Sequence, residues 1–430
     1  MKKSIIEKGL VFGIIILFVG ISVVSSIGSL EESCRATIDS SILYIGGSGP
    51  GNQRIIQNTI DYASYADDFD EKIETLMLWG HMPSLVACIV KNNTVVWSKG
   101  YGFYDYYKKK NATVNIVYPV ASISKSITAT AIMQLNETGL IGLDDNVSEY
   151  LPFDLKNPKY PGVNITFRML LAHQSSLADT IVRFTIYFSF LRVPYDQLGD
   201  YLLPDGVFYQ PRVWNDYPPG ENVTYSTVGF EILGYLVEQI TQQPFLNYCQ
   251  EQIFEPLQMK NTSFFFSNFN KNKLACLYFW VAGLYFKLPR IQTRGYAGGG
   301  LKTTISDLSH FLIMHTNRGV YDGVRILTEE SVEEMHRVQY PGYYDEDYLH
   351  GLGWYLKNFS DGEIYGGHGG NHQGARAVMR MRYSDRVGVT YFWNQNSFFL
   401  MHLKLTREEE KEAIIEIEKA LFEKACSRFQ

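Results

Sequence analysis

Residues 120–139, Val-Ala-Ser-Ile-Ser-Lys-Ser-Ile-Thr-Ala-Thr-Ala-Ile-Met-Gln-Leu-Asn-Glu-Thr-Gly, constrain this chain more than any other stretch. Good helix formers and apolar residues surround the axis, and Gly139 ends the run at the C′ position, so the segment predicts a helix. Apolar residues on most faces predict that it is buried. Its first turn nevertheless holds Ser122, Ser124, Lys125 and Ser126. A lysine there is at the unfavourable end of the helix dipole, and burial penalises its charge. Ser122 and Lys125 are three apart, which on a helix puts their Cβ atoms about 5–6 Å from each other. A hydroxyl beside an amine that burial can deprotonate is one way to activate a serine. The backbone N–H of Ser122 would point out of the helix start, where an oxyanion can bind. The plain alternative is a capping serine and a snorkelling lysine. Against it, Ser-x-x-Lys occurs only once in the sequence, and on a segment that reads as buried.

A chain of 430 residues has ample length for a large core. Its composition, 46% hydrophobic and 20% charged, is globular, and a net charge of −6 leaves no electrostatic footprint for nucleic acid. The cysteines (Cys34, Cys88, Cys249, Cys276, Cys426) are odd in number and widely spaced, which argues against a zinc site or a dense disulfide framework but allows one bridge. Lys2, Lys3 and Lys8 precede an apolar run from Gly9 to Ile27, long enough to span a bilayer with the lysines inside. With no Ala-x-Ala site following, residues 1–29 read as an uncleaved anchor, with a cleaved signal peptide as the alternative. Either way the body is exported: a single-pass membrane protein with an extracytoplasmic domain, or a secreted one. Eight Asn-x-Ser/Thr sequons, against about three expected by composition, suit a glycosylated exterior protein.

Residues 30–66 read as a linker whose one Gly-rich unit is too little for a solenoid. From residue 67 the folded body begins. Phe69, Ile73, Leu76 and Met77 have helical spacing. Leu85–Val90 and Thr94–Lys99 read as strands joined by a turn at Asn92-Asn93. Thr166 caps a short helix ending in Leu170-Leu171-Ala172-His173-Gln174-Ser175-Ser176-Leu177; further helices cover 229–240, about 244–254 and 304–316. Residues 274–291 are strongly apolar, but Gly and Pro interrupt them, against a second membrane span. Strand-like pieces fill 352–395 and an amphipathic helix over 407–425 ends the chain; Glu408 to Glu418 read as its solvated face. The order predicts an α+β sandwich: an antiparallel sheet from about 67–118 and 295–430, flanked by helices, with a mostly helical insertion over about 119–294 and a cleft between them.

These motifs resemble the serine β-lactamase-related proteins of the class C type, which include penicillin-binding-protein-like D-aminopeptidases and carboxypeptidases, and esterases. Five stretches correspond in order: Ala121–Asp145, Leu170–Leu177 (with Ser176 where Gly is usual), Pro219–Leu236, Ala297–Phe311, and Gly367-His368-Gly369-Gly370. The resemblance implies a β-lactamase/transpeptidase-like fold, with Ser122 as nucleophile and Lys125 and Tyr225 as proton carriers. It implies oxyanion donors at the N–H groups of Ser122 and Asn371, a substrate-facing position at Thr227, and a third motif at His368 and Gly370. Thr227 departs from the usual Asn of Tyr-x-Asn, and His368 stands where other members carry Lys. The implied activity is hydrolysis of an ester or amide, peptide or β-lactam-like, through a Ser122 acyl-enzyme, without cofactor or metal. The rival is a cell-surface binding protein that keeps the fold without turnover.

Other features read more plainly. His368 and His372 on one strand are about 13 Å apart, too far for one ion. The glycines at 298–300 and 366–370 lack the Gly-Lys-Ser/Thr of a phosphate loop and read as close packing near a substrate. The aromatic stretches 184–190 and 264–291 read as ordinary packing, with an acyl pocket or membrane contact as the alternative. Lys125 and Tyr225 are both candidates for the general base.

Overall fold

The computed structural model describes residues 68–179, 197–281, 283–292, 295–340, 349–358, 362–396 and 404–427. The anchor, the linker and the aromatic stretch 184–190 lie outside the described residues.

Helix α1 (Phe69–Trp79) leads into strands β1 (Ser84–Lys91), β2 (Thr94–Asp105), β3 (Lys110–Asn111) and β4 (Tyr118–Ala121). Next come helices α2 (Ser124–Glu137), α3 (Phe167–Leu171), α4 (Gly199–Leu202), α5 (Thr227–Thr241) and α6 (Phe245–Cys249). Strands β5 (Leu277–Val281), β6 (Leu284–Leu288) and β7 (Leu301–Thr303) follow, then α7 (Ile305–Thr316), β8 (Val320–Tyr321), β9 (Val324–Arg325) and α8 (Glu329–His336). The chain closes with β10 (Leu349–His350), β11 (Tyr355–Asn358), β12 (Ile364–His372), β13 (Ala375–Arg382), β14 (Gly388–Trp393) and α9 (Lys404–Ser427).

One antiparallel sheet of order β10-β11-β12-β13-β14-β1-β2-β3 joins the two ends of the chain. Local chemistry sets its hairpins. Asn92 and Asn93 both take positive φ (50° and 60°), the turn whose twist matches the flanking strands. Strand β2 runs on to Asp105, beyond the Lys99 expected, because its far half pairs with β3. Along β14 alternate side chains serve opposite faces. A Cβ on Gly388 would lie 2.8 Å from Leu312 of α7, whereas the Tyr391 hydroxyl donates to Glu418 of α9 at 2.9 Å. The sheet is therefore covered by α7 on one side and by α9, packed along α1, on the other.

One of these expectations needs correction here. Glu410 and Glu418 are not on a solvated face: they are 3% and 8% exposed. They turn toward Arg376 (3.4 Å) and Arg380 (3.5 Å) of β13, because the sheet offers them cationic partners far away in sequence. The apolar stretch 274–291 folds as the hairpin β5–β6, with Phe279 stacked across on Phe286 at 5.0 Å.

The chain between β4 and β7 supplies the helical layer, in which α2 packs against α5 and α6. Helix α2 is buried as its sequence predicts, and its hydroxyls explain how. Ser126 donates to Gly353 O at 2.9 Å, Thr128 to Ala297 O at 2.7 Å and Thr130 to Ser126 O at 2.9 Å. Each buried hydroxyl has a carbonyl acceptor, which removes the desolvation penalty.

Candidate active site

Ser122 does not lie within α2. It stands in the turn between β4 and α2, after Ala121, whose φ of 46° is uncommon for a residue with a side chain. Ser124 stabilises that turn: its Oγ donates to Ala121 O (2.5 Å) and accepts from Leu301 N (2.9 Å). The Lys125 N–H closes the turn on Ser122 O at 3.0 Å. Serine and lysine thus share a face, as expected, but through a turn that leaves Ser122 half-buried while Lys125 is 0% exposed.

Two donors converge on Ser122. Lys125 Nζ is 3.2 Å from Ser122 Oγ, and the Tyr225 hydroxyl is 2.8 Å away. Lys125 Nζ also donates to Gly298 O at 2.5 Å and sits 4.8 Å from the Tyr225 ring centroid. The Gly298 peptide is held from behind by Glu231 of α5, whose carboxylate accepts from Gly298 N (2.8 Å) and Ala297 N (3.3 Å). A side chain at Gly298 would meet Thr227 Cγ2 at 2.7 Å and Glu231 Oε1 at 2.8 Å, so the glycine is required by close packing.

Tyr225 precedes α5, which Ser226 caps by accepting from Gly229 N at 3.1 Å. Asp179 Oδ1 accepts from Thr227 N (2.7 Å) and Val228 N (3.2 Å), adding a carboxylate at the positive end of the helix. His173 fixes the loop before it. Its carbonyl accepts from Thr224 N (2.9 Å), its Nδ1 accepts from Ser226 N (3.1 Å), and its ring lies 4.5 Å from that of Tyr225. An Nδ1 that accepts leaves the proton on Nε2. Burial, then the neighbouring His350, Lys125 and His368, hold this imidazole well below its ordinary pKa, so it stays neutral. In the sequence His173 stands within a motif without an evident role of its own, and nothing in the sequence alone shows that its ring meets the backbone of Ser226. Glu231 was also missed, although it lies four residues after Thr227 and so on the same helical face.

Thr227, His368, Gly370 and Asn371 occupy three different settings. Thr227 is 1% exposed, its methyl against Gly298, its hydroxyl without a partner among the described residues. His368 is also 1% exposed. Its Nδ1 donates to Gly369 O at 2.7 Å and its ring stacks on Tyr355 at 4.4 Å. Burial first, then the nearby Lys125, pushes its pKa down to about 3, so it brings no positive charge at neutral pH. Gly370 is where β12 presses on β4: a Cβ there would lie 1.9 Å from Val120 O. That approach brings the exposed Asn371 of β12 beside the turn that carries Ser122, with its side-chain oxygen accepting from Asn396 Nδ2. Ser176, in the position where the resemblance expects Gly, has φ of 58°, the region that favours glycine. Its hydroxyl accepts from Asn157 Nδ2 at 2.9 Å and its carbonyl from Asn215 N at 2.8 Å.

The profile of the Beta-lactamase family matches residues 69–410. The chain belongs to the Beta-lactamase family. It is 27% identical over 268 residues to "Protein flp" of Staphylococcus aureus (strain MW2), covering 58% of this chain and 50% of that protein. It is likewise 27% identical over 273 residues to "Beta-lactamase-like protein 2" of Dictyostelium discoideum, covering 61% and 48%. The chain thus spans about half the length of these curated relatives. Among solved structures it resembles the octameric penicillin-binding protein homologue from Pyrococcus abyssi (TM-score 0.63, 24% identity, 76% of this chain and 73% of that one). It also resembles the D-amino acid amidase from Ochrobactrum anthropi SV3 complexed with L-phenylalanine (TM-score 0.66, 21% identity, 81% and 98%). The fold is that of the β-lactamase-family serine hydrolases.

Proposed function

We propose that the protein is an exported serine hydrolase that opens an ester or amide bond through an acyl-enzyme on Ser122. The observation that carries this reading is the placement of a lysine amine and a phenol at 3.2 and 2.8 Å from one half-buried serine hydroxyl. Ser122 Oγ attacks the carbonyl carbon while its proton passes to the Lys125–Tyr225 pair. The amine keeps one N–H on Gly298 O, which orients its remaining valences toward Ser122 and Tyr225. The negative oxygen that forms is received by the N–H groups of Ser122 and Asn371. Tyr225 returns the proton to the leaving group, and water then releases the acid by the reverse path.

Neutral His368 supplies no fixed cation to pair with a substrate carboxylate. This favours esters and simple amides over β-lactam carboxylates. The solved relative named as a D-amino acid amidase supports including amides. The apolar run Gly9–Ile27 supports membrane attachment with the hydrolase outside. The test is hydrolysis of a short chromogenic ester by the full chain and by Ser122→Ala; the reading expects turnover in the first and loss in the second.

A further inference from the structure

The β5–β6 hairpin and the β2–β3 turn together form an unusual surface. Leu284, at the start of β6, is 62% exposed and Phe286 44%. Alternation sends Tyr285 and Lys287 to the other side of the strand, where the β2–β3 turn meets them. The Tyr107 hydroxyl donates to Tyr285 O, and the Tyr106 and Tyr285 rings lie 4.6 Å apart. Tyr107 is itself 61% exposed. Directly after it come Lys108, Lys109 and Lys110, all exposed. Lys109 spreads over the Tyr106 ring at 4.2 Å. Lys287 is exposed as well, with Asp105 at 3.7 Å as the acid facing it. In a chain of net charge −6, four lysines against one carboxylate are a local reversal of sign.

We propose that this tip is a docking element for an anionic lipid surface. A hairpin end that enters the headgroup layer meets lipid on every side, so Leu284 and Phe286 on one face and Tyr107 on the other all lose water there. Tyrosines suit the boundary itself, with the ring in the apolar zone and the hydroxyl outside. Lysines beside them keep their ammonium groups at the phosphate level while their stems cover apolar surface. The charge excess selects the partner: a purely apolar ligand would not need it, and a neutral bilayer would not reward it. The element belongs to the catalytic body and is independent of the N-terminal apolar run. It also bears on the site, because the hairpin base is tied to the β12–β13 turn (Tyr278 N to Gly374 O, 3.3 Å), three residues beyond Asn371.

Amide hydrogen exchange of the full chain, read on peptides covering 104–111 and 281–288, tests this. Vesicles containing phosphatidylglycerol should slow exchange in both peptides several-fold, and pure phosphatidylcholine vesicles should leave it unchanged. The triple variant K108E/K109E/K110E and the double variant L284S/F286S should each lose the protection, while exchange in β1 and β14 reports that they remain folded. Equal exchange in the two lipids would overturn the proposal. So would protection that survives both variants, or protection that appears without vesicles as protein concentration rises, which would mark a second copy as the partner.

Discussion

Replacing Gly370 by alanine tests how closely the two halves of the site must meet. The added Cβ would lie 1.9 Å from Val120 O, and real Cβ contacts are essentially never under 3.0 Å, so the strands must part by at least 1.1 Å (3.0 − 1.9). The clash is with backbone, so no side chain can swing away. Val120 is two residues from Ser122, and Gly370 immediately precedes Asn371. The displacement therefore falls on the gap between Ser122 and Asn371, the two proposed oxyanion donors. A misplacement of about 1 Å in a reacting constellation costs about a hundredfold, and overpacking adds roughly 1–3 kcal/mol of destabilisation. Gly369 supplies the internal control, since a Cβ there would approach nothing nearer than Ala377 O at 3.9 Å. The assay is kcat/KM on a chromogenic ester, with the thermal midpoint measured in parallel. G370A should lose about two orders of magnitude while G369A stays close to wild type. Wild-type kcat/KM and an unchanged midpoint in G370A would refute the reasoning that this strand contact sets the site.

Further predictions follow from the same geometry. Tyr225→Phe and Lys125→Ala should each lower kcat by about 10²–10⁴-fold with smaller changes in KM, as expected for groups that move protons; steady-state kinetics checks this. His173→Phe should lower kcat while leaving Ser122 in place, because Ser226 N loses its acceptor and the loop carrying Tyr225 loosens; the unsatisfied N–H should cost about 1–3 kcal/mol in urea unfolding. Glu231→Ala should release the Gly298 peptide and shift the pH–rate profile, a readout that simple loss of packing would not move. Acid should destabilise the fold. Burial holds His368 at about 3 and His350 at about 4, so below an unfolded value near 6.5 the unfolded chain takes up protons that the fold refuses. That stability is present above 6.5 and fades as pH falls toward 4, by up to about 2 kcal/mol per histidine at pH 5. Urea midpoints between pH 7 and 5 measure it, and His368→Asn should flatten the slope.

Much of the fold was legible because local chemistry and long-range packing agree. The Asn92-Asn93 turn, the Thr166 and Thr304 caps and the stop at Gly139 need only neighbours in sequence, and all stand where local rules put them. The ordered motifs placed Ser122, Lys125 and Tyr225 in one fold, and the structure brings their polar ends together. What could not be read depends on contacts across the chain. Ser122 leaves the helix because Ala121 adopts a positive φ that no residue type there announces. Glu418 is buried because Arg380 faces it from strand β13. The stretch 274–291 has an apolar pattern that period alone cannot divide between helix and strand. His173 and Glu231 act through backbone groups of distant loops, which carry no residue signature at all.

A Ser122 nucleophile becomes acylated during turnover. Intact-mass measurement of the full chain, quenched in acid after seconds with an activated ester, should show the gain of one acyl group, mapped by digestion to the peptide containing Ser122 and absent in Ser122→Ala. Acylation at another residue, or none in folded protein with esters, D-peptides and β-lactams alike, would contradict the account and favour a binding protein that keeps the fold without turnover.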